Sequence, residues 1–496
     1  MSIKTLSSDI AFYGLLDLLQ RSVSIIMVPL YTRILSQKEY GDLDIILVFA
    51  SFLFILVDLQ FTAGFSRLYY ESLAEGKSKR FVGTALASRL IVSIVLIVVF
   101  FMLGFSGLLE FDFIPSFQSN IIAWALAAIS IPLTLSYDIL LLQTRMLRWK
   151  KWFAIGSFSN VLLSCVLSAL FAIVFKMGIV SVLLGMLIGK LVGLLFLAWG
   201  LRKEFTLCLD LEPFKSLLAY TWPLIPGFWL AHSSGYMNRF FVFSELGAEE
   251  NAILSLCMKI VSVMAMFAIA FQSAWQPLAM SQIGSSGGNE FYVRSMRLFI
   301  AGSIFSMFFI AALVDPILAI LAPDAYGMVR HYFPIFAVGM VLSTCTTNIQ
   351  LGHQIAKTTH WISISSLVTI SINFCLLLLL TKNQGVFGAG FAWVVSFAVS
   401  FFLMYYSAQK KYYIQYDLKA FTTLGLGCVL LLFLGFMSYK QFIPDWLFSI
   451  FAVLMSVALP WSVIKNFEIN ALRLLLRKNL IFQYEQKHKT ADNRKP

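Results

Sequence analysis

Four basic side chains lie inside stretches of the sequence that are otherwise apolar, namely Arg21, Arg89, Lys190 and Lys259. A charged side chain at the centre of a bilayer costs about 3 kcal/mol on insertion scales, so its presence predicts an aqueous cavity or a charged partner. Arginine offers a phosphate group a bidentate fork of donors, whereas lysine offers a mobile point charge. The four residues therefore indicate a site for an anion, and a diphosphate fits their chemistry.

Acidic residues are fewer in the same apolar stretches. A structural ion pair with one of them is the alternative to an anion-binding role for a basic residue. Asp17 and Arg21 are four residues apart, so on a helix they share one face and can form a structural pair. Arg89 can likewise pair with Asp58, and Asp138 lies near the end of its stretch. Asp17, Asp58 and Asp138 are also the candidate sites for a coupled proton or cation.

The composition shows which class of chain holds these charges. Of 496 residues, 59% are hydrophobic and only 12% are charged, and the mean hydropathy is +0.83. A soluble domain has about 25% charged residues, so a soluble enzyme, a disordered protein and a disulfide scaffold are excluded. The sequence predicts an all-α polytopic membrane protein, in which the net charge of +12 belongs mainly to cytoplasmic segments rather than to a nucleic-acid surface.

Apolar stretches of about 20 residues, each long enough to cross a bilayer, predict fourteen transmembrane helices. The positive-inside rule places both termini in the cytoplasm. Arg67 stands at a cytoplasmic helix end, where this rule alone explains it, whereas Arg239 stands at an outside end; both join the predicted cationic cavity. The predicted spans are residues 12–31, 44–66, 81–105, 120–144, 152–175, 179–201, 217–240, 252–275, 296–321, 332–351, 361–381, 386–408, 420–439 and 446–464.

An internal repeat relates the two halves of the chain. At a shift of about 207 residues, Gln143 meets Gln350 and Gly178 meets Gly385. Because six helices per repeat is an even number, we expect two pseudo-symmetric lobes related by an axis along the membrane normal, as in alternating-access transporters. The predicted division is 1–205 (N-lobe), 206–412 (C-lobe), 413–466 (two added helices) and 467–496 (a cytoplasmic amphipathic or disordered tail).

The seventh predicted span, TWPLIPGFWLAHSSGYMNRFFV, is interrupted by prolines. Pro223 and Pro226 leave backbone carbonyls unpaired and favour a bend, and Asn238 belongs to a polar stretch that follows. This pattern predicts a gating helix at the lobe interface, and a kinked packing helix has the same pattern.

No motif of the chain predicts a cofactor or a metal ion. The six cysteines form no CxxC pair and no ligand cluster. The segment GMLIGKL has three residues between its glycines, where a phosphate-binding loop requires four. Gly185 and Gly189 instead predict close packing of two helices.

Two segments carry a resemblance to a known family. YGLLDLLQRSVSIIMVPLYTRILSQKEYGDLDIILVF, followed by GFSRLYYE, resembles the polysaccharide-transport branch of the MOP superfamily, the Wzx-type flippases of lipid-linked oligosaccharides. The segment PLIPGFWLAHSSGYMNRFFV, with the later LGAEENAILSL, resembles the start of the second lobe. The family pattern usually has an acidic residue before the terminal arginine of this segment, and this chain has Asn238 there.

The resemblance implies a bacterial cytoplasmic-membrane flippase rather than an enzyme. Such a protein moves undecaprenyl-diphosphate-linked oligosaccharide, the repeat unit of O-antigen, capsule or exopolysaccharide, from the inner to the outer leaflet by alternating access through a cationic central cavity. It implies lipid partners, and it suggests the polymerase and chain-length proteins of the same pathway. The alternatives are a MATE-like cation-coupled drug antiporter, a membrane polysaccharide polymerase or ligase, and a scaffold.

Overall fold

The computed structural model describes Phe12, Leu16 and residues 25–106, 120–285, 287–358 and 360–464. Helices account for the regular structure of these residues, and no strand occurs among them. Within the described ranges, eleven helices are long and apolar enough to cross a membrane. The predicted fold class, an all-α multi-pass membrane protein, is confirmed. The predicted tail at 467–496 lies outside the described residues.

The described helices follow the predicted spans closely. Three differences change the count. His360–Lys411 covers the eleventh and twelfth predicted spans, most of the first lies outside the described residues, and the helix Ile225–Leu246 in the region of the seventh is not among the eleven. The helices are α1 Val28–Ile34, α2 Gln37–Asp58, α3 Phe61–Ala74, α4 Ser78–Phe105, α5 Ile121–Met146, α6 Lys150–Ile173, α7 Ile179–Gly200, α8 Leu211–Thr221, α9 Ile225–Leu246, α10 Ala248–Ser281, α11 Gly288–Leu321, α12 Val329–Ile349, α13 Leu351–Ile355, α14 His360–Lys411, α15 Leu418–Tyr439 and α16 Asp445–Val463.

The second predicted span is broken in the structure. Its first part, α2, begins with a capping box in which the Ser36 hydroxyl accepts a hydrogen bond from the Glu39 backbone amide, a strong start signal. Leu59 and Gln60 then adopt left-handed backbone angles, with φ of 46° and 57°, and α3 starts at the next residue. The break ends α2 at Asp58, which becomes important for Arg89 below.

The internal repeat is visible in the backbone. Gly178 and Gly385, which match at the predicted shift, have φ/ψ of 56°/−134° and 61°/−144°. Only glycine enters this region at low cost, because it lacks a Cβ atom. Each glycine starts a long helical segment after a change of direction, so the two halves share an uncommon backbone feature as well as residue types.

The described residues form two compact units. The first comprises those within Met1–Lys259, Pro316–Tyr332 and Ile362–Ser396. The second comprises those within Ile260–Asp315, Phe333–Trp361 and Phe397–Pro496. The lobe boundaries at residues 205 and 412 stay a prediction.

Close packing of α6 against α7 fixes one side of the first unit. A Cβ atom at Gly185 would collide with Ser168, and one at Gly189 would collide with Ser164. Small residues let helix backbones approach in this way. The predicted role of the two glycines in helix packing is confirmed, and this packing positions Lys190, which follows Gly189 directly.

Candidate functional site

Two cavities of the first unit share one lysine in their walls. The lysine cavity has a volume of about 270 Å³, and the Asp138 cavity has a volume of about 530 Å³. Both are lined by Lys190, together with Leu47 and Met186. The polar residues that line the lysine cavity are Tyr31, Tyr40, Asp44, Asn160, Ser164, Lys190 and Lys259.

Lys190, on α7, contacts the face of an aromatic ring. Its ammonium lies 4.7 Å from the centroid of the Tyr137 ring, a geometry that stabilises a cation. Asp138, the next residue along α5, lies within electrostatic range of Lys190 and lines the second cavity. The Lys190 ammonium donates no hydrogen bond within the described part of the chain, and its side chain lines both cavities.

Lys259, on α10, is held by Tyr40 of α2. The Lys259 ammonium donates a hydrogen bond to the Tyr40 hydroxyl and lies 4.7 Å from the centroid of the same ring. The Tyr40 ring is itself buried and meets Tyr326 edge to face. The structure thus brings Lys190 and Lys259, two residues far apart in sequence, to one cavity.

Arg239, on α9, forms an ion pair that the sequence pattern did not reveal. Its guanidinium donates to both carboxylate oxygens of Asp44, at 3.0 and 3.2 Å. The carboxylate also accepts from the Ser255 hydroxyl at 2.6 Å, and Asp44 is only 5% exposed. The carboxylate that pairs with Arg239 therefore lies on another helix, α2.

Asp44 is the residue that the sequence analysis missed. The predicted span 44–66 begins at Asp44, which would place this side chain at a helix end. The helix instead begins at Gln37, so Asp44 lies two turns inside it. The signal available in the sequence was its spacing of four residues from Tyr40, which places both on one face of the helix.

Arg89 forms a buried ion pair. It is 1% exposed and forms an ion pair with Asp58. Its guanidinium also donates to the Thr62 hydroxyl at 2.9 Å and to the Leu135 carbonyl at 3.2 Å. Arg89 lines neither the lysine cavity nor the Asp138 cavity, so the pairing alternative describes its geometry.

The environments of the other predicted site residues differ from one another. Arg67 pairs with Glu71 on the same helix, and both side chains are more than half exposed. Pro223 lies in a 3-10 turn, Trp222–Leu224, between α8 and α9, which accounts for the predicted interruption. Arg21 and Asp17 lie outside the described residues.

Asn238 has an unusual environment for a polar side chain. It is 2% exposed, and neither its amide oxygen nor its amide nitrogen has a hydrogen-bond partner among the described residues. An unsatisfied buried amide costs about 1–3 kcal/mol. Pro226, three turns earlier on α9, is exposed, so the gating role of this helix stays a prediction.

Comparison with known proteins matches the fold and the sequence. The family model described as polysaccharide biosynthesis protein matches residues 6–283. The lipid II flippase MurJ in an inward closed conformation superposes with a TM-score of 0.72 at 14% identity, covering 93% of this chain and 100% of that one. No curated protein matches the chain.

Transporters of the MOP superfamily also have this fold. An inward-facing multidrug MATE transporter superposes with a TM-score of 0.56 at 15% identity, covering 79% of this chain and 97% of that one. A MOP transporter from Pyrococcus furiosus gives 0.53 at 14% identity, covering 81% and 95%. The fold is that of a multi-pass membrane protein similar to MurJ and the MATE transporters. The chain belongs to the polysaccharide biosynthesis protein family, which confirms the resemblance seen in the sequence.

Proposed function

We propose that the protein is a flippase that translocates undecaprenyl-diphosphate-linked oligosaccharide from the inner to the outer leaflet. The observation that carries the proposal is the meeting of Lys190 and Lys259 at the lysine cavity. Two ammonium groups on opposing helices suit a diphosphate, which presents several charged oxygens at once. The family match and the fold of MurJ support the same class of cargo.

The charge balance around the lysine cavity supports an anionic cargo. Asp44 lines this cavity, but Arg239 neutralises it through two hydrogen bonds. The charge of the two lysines is therefore not offset by Asp44. Asp138 lies within electrostatic range of Lys190 and lines the other cavity, whereas Asp44 is the carboxylate among the described residues that line the lysine cavity.

The shared wall suggests a path for the cargo. Because Lys190 lines both cavities, its flexible side chain can follow a diphosphate from one to the other without losing contact. Arg239 and Asp44 then hold α2 and α9 together beside that path. The polyprenyl tail stays in lipid, and no bond of the cargo is made or broken, so the proposed activity is transport and not catalysis.

The proposal includes the setting of the protein. We place it in the bacterial cytoplasmic membrane with both termini in the cytoplasm, as the distribution of basic residues in the sequence predicts. Its cargo would then be consumed outside by the polymerase and chain-length proteins of the same pathway. Arg21, with Asp17, would extend the cationic wall in the N-terminal segment.

A cation-coupled antiporter is the second candidate, and Asp138 is the observation that favours it. A carboxylate in a cavity is a site for a proton or cation, and MATE transporters share this fold. Asp138→Asn separates the two readings. An antiporter loses cation-driven efflux of drugs with this change, whereas a flippase whose Asp138 only balances Lys190 still delivers its glycan to the surface.

Deletion of the gene tests the proposed function directly. We expect lipid-linked oligosaccharides to accumulate on the cytoplasmic leaflet, and the wild-type gene to clear them. Mass spectrometry of the lipid extract measures the accumulation, and protection from a membrane-impermeant periodate reagent added to intact spheroplasts reports the leaflet. A deletion strain with no accumulated intermediate would contradict the proposal.

A further inference from the structure

A third cavity lies in the second unit. Its volume is about 680 Å³, and it is formed by α11 and the segment that joins α14 to α15. The sequence there, MYYSAQKKYYIQYDLK, is dense in tyrosine. The polar and aromatic residues that line it include Arg297, Tyr405, Tyr413, Gln415, Tyr416 and Asp417.

The walls of this tyrosine cavity are built by specific contacts. Gln409 closes the connecting segment, because its side chain donates to the Ile414 carbonyl at 2.7 Å and accepts from the Ile414 amide at 2.8 Å. The rings of Tyr405 and Tyr416 lie 6.3 Å apart and both pack on Phe421. The cavity therefore has a defined shape before any ligand enters.

The ion pair between Arg297 and Asp417 places hydrogen-bond donors next to acceptors in the cavity wall. Arg297 donates to Asp417 at 3.2 Å, and Arg297 is 6% exposed. Asp417 also caps α15 by accepting from the Lys419 amide at 3.1 Å. A phosphate group would meet the carboxylate of Asp417 with repulsion, whereas a hydroxyl group can donate to the carboxylate and accept from the guanidinium.

Several polar groups of the cavity wall have no hydrogen-bond partner among the described residues. The hydroxyls of Tyr405, Tyr413 and Tyr416 and the amide of Gln415 make no hydrogen bond with the residues that the structure describes. Burial raises the pKa of Tyr416, so its hydroxyl stays protonated and able to donate. Tyrosine also offers an apolar ring face beside its polar tip, and this combination suits the C–H faces and hydroxyl groups of a sugar ring.

We propose that the tyrosine cavity binds the uncharged, polyhydroxylated part of the cargo, the carbohydrate, at a site separate from the lysine cavity. The proposal rests on the proposed flippase function for the identity of the glycan. The predicted topology places the α14–α15 connection on the cytoplasmic side, where lipid-linked oligosaccharide would be loaded. Loss of the Tyr413 ring, which is 69% exposed, would then remove a stacking surface without disturbing a packed core.

The test measures binding of free oligosaccharide to the full-length purified protein in nanodiscs. The probe is the oligosaccharide released by mild acid from the lipid-linked pool of the deletion strain, and saturation-transfer NMR measures its affinity. We expect Tyr413→Ala to weaken binding about tenfold, and Tyr416→Phe to weaken it severalfold because it removes one hydroxyl. Tyr406→Ala is the control, since Tyr406 is 61% exposed near the end of α14 and does not line the cavity.

Three outcomes would overturn the inference: no binding by the wild type, equal binding by Tyr413→Ala, Tyr416→Phe and Tyr406→Ala, or displacement of the oligosaccharide by inorganic pyrophosphate. The last would assign the cavity to a phosphate group. Accumulation of intermediates in the deletion strain is scored separately. A strain that accumulates them while its protein binds no free oligosaccharide contradicts this inference alone, and a strain without accumulation contradicts the proposed function.

Discussion

Arg239 of α9 and Asp44 of α2 join two helices that are about 195 positions apart in the chain. The guanidinium donates to both carboxylate oxygens, and Ser255 and Asn251 of α10 complete the shell around Asp44. The pair removes one anion from the electrostatic balance of the lysine cavity. The positive charge of the lysine cavity thus depends on the Arg239–Asp44 contact as well as on the two lysines.

The lysine cavity should bind a diphosphate through both of its ammonium groups. A hydrogen bond to a charged group is worth about 2 kcal/mol, or about thirtyfold in affinity. We expect Lys190→Gln and Lys259→Gln each to weaken binding of farnesyl diphosphate by about that factor. Titration of the nanodisc-embedded protein measures this effect, with Lys382→Gln, an exposed lysine of α14, as the control that keeps wild-type affinity.

Breaking the Arg89–Asp58 pair should destabilise the fold more than breaking an exposed pair. Removal of one partner of a buried ion pair costs about 3–5 kcal/mol, since the other charge remains buried. Asp58→Asn should therefore lower the melting temperature in detergent clearly. Glu71→Gln, which breaks the exposed pair with Arg67, should cost less than about 1 kcal/mol. Equal melting temperatures for the two variants would refute the assignment of Arg89 to a structural role.

The Arg239–Asp44 pair should show strong coupling in a double-mutant cycle. Asp44→Asn leaves the partly buried Arg239 without its carboxylate, and Arg239→Gln leaves a buried anion. We expect the double variant to be more stable than the sum of the single losses by about 1–3 kcal/mol. Chemical denaturation of the detergent-solubilised protein, followed by tryptophan fluorescence, supplies the four free energies. Simple additivity would speak against the pair.

The glycines of the repeat should tolerate no side chain. At their positive φ, Gly178→Ala and Gly385→Ala should each cost about 1–3 kcal/mol of backbone strain. Gly425→Ala is the control, because Gly425 lies in α15 with open space around its missing Cβ atom and alanine favours a helix. Melting temperatures compare the three variants, and an unchanged value for Gly178→Ala would contradict the argument.

Much of the fold was predictable because each transmembrane helix carries its own signal. Apolar length alone located most of the described spans, although α11 begins eight residues before its predicted start. The polar and glycine matches located the repeat at Gly178 and Gly385. The break at Leu59 and Gln60 was not predictable, because neither residue is a glycine or proline and tertiary contacts must hold their left-handed angles.

The candidate site was predictable only in its residue types. Lys190 and Lys259 stood out because they are charged residues in apolar surroundings, and their meeting at one cavity depends on tertiary structure that the sequence does not show. Asp44 was not recognised as a site residue, because its environment depends on Arg239 and Ser255, which are distant in sequence. The sequence offers Arg89 and Asp58 as a possible pair, and the structure brings them together where α2 ends.

Transport by a variant that lacks both cavity lysines tests the central claim most directly. Lys190→Gln/Lys259→Gln is expressed in the deletion strain, and immunoblotting checks that it reaches the membrane in wild-type amount. The account predicts that lipid-linked oligosaccharide accumulates on the cytoplasmic leaflet as in the empty deletion strain. Full clearance of the intermediate by this variant would contradict the claim that the lysine cavity carries the diphosphate.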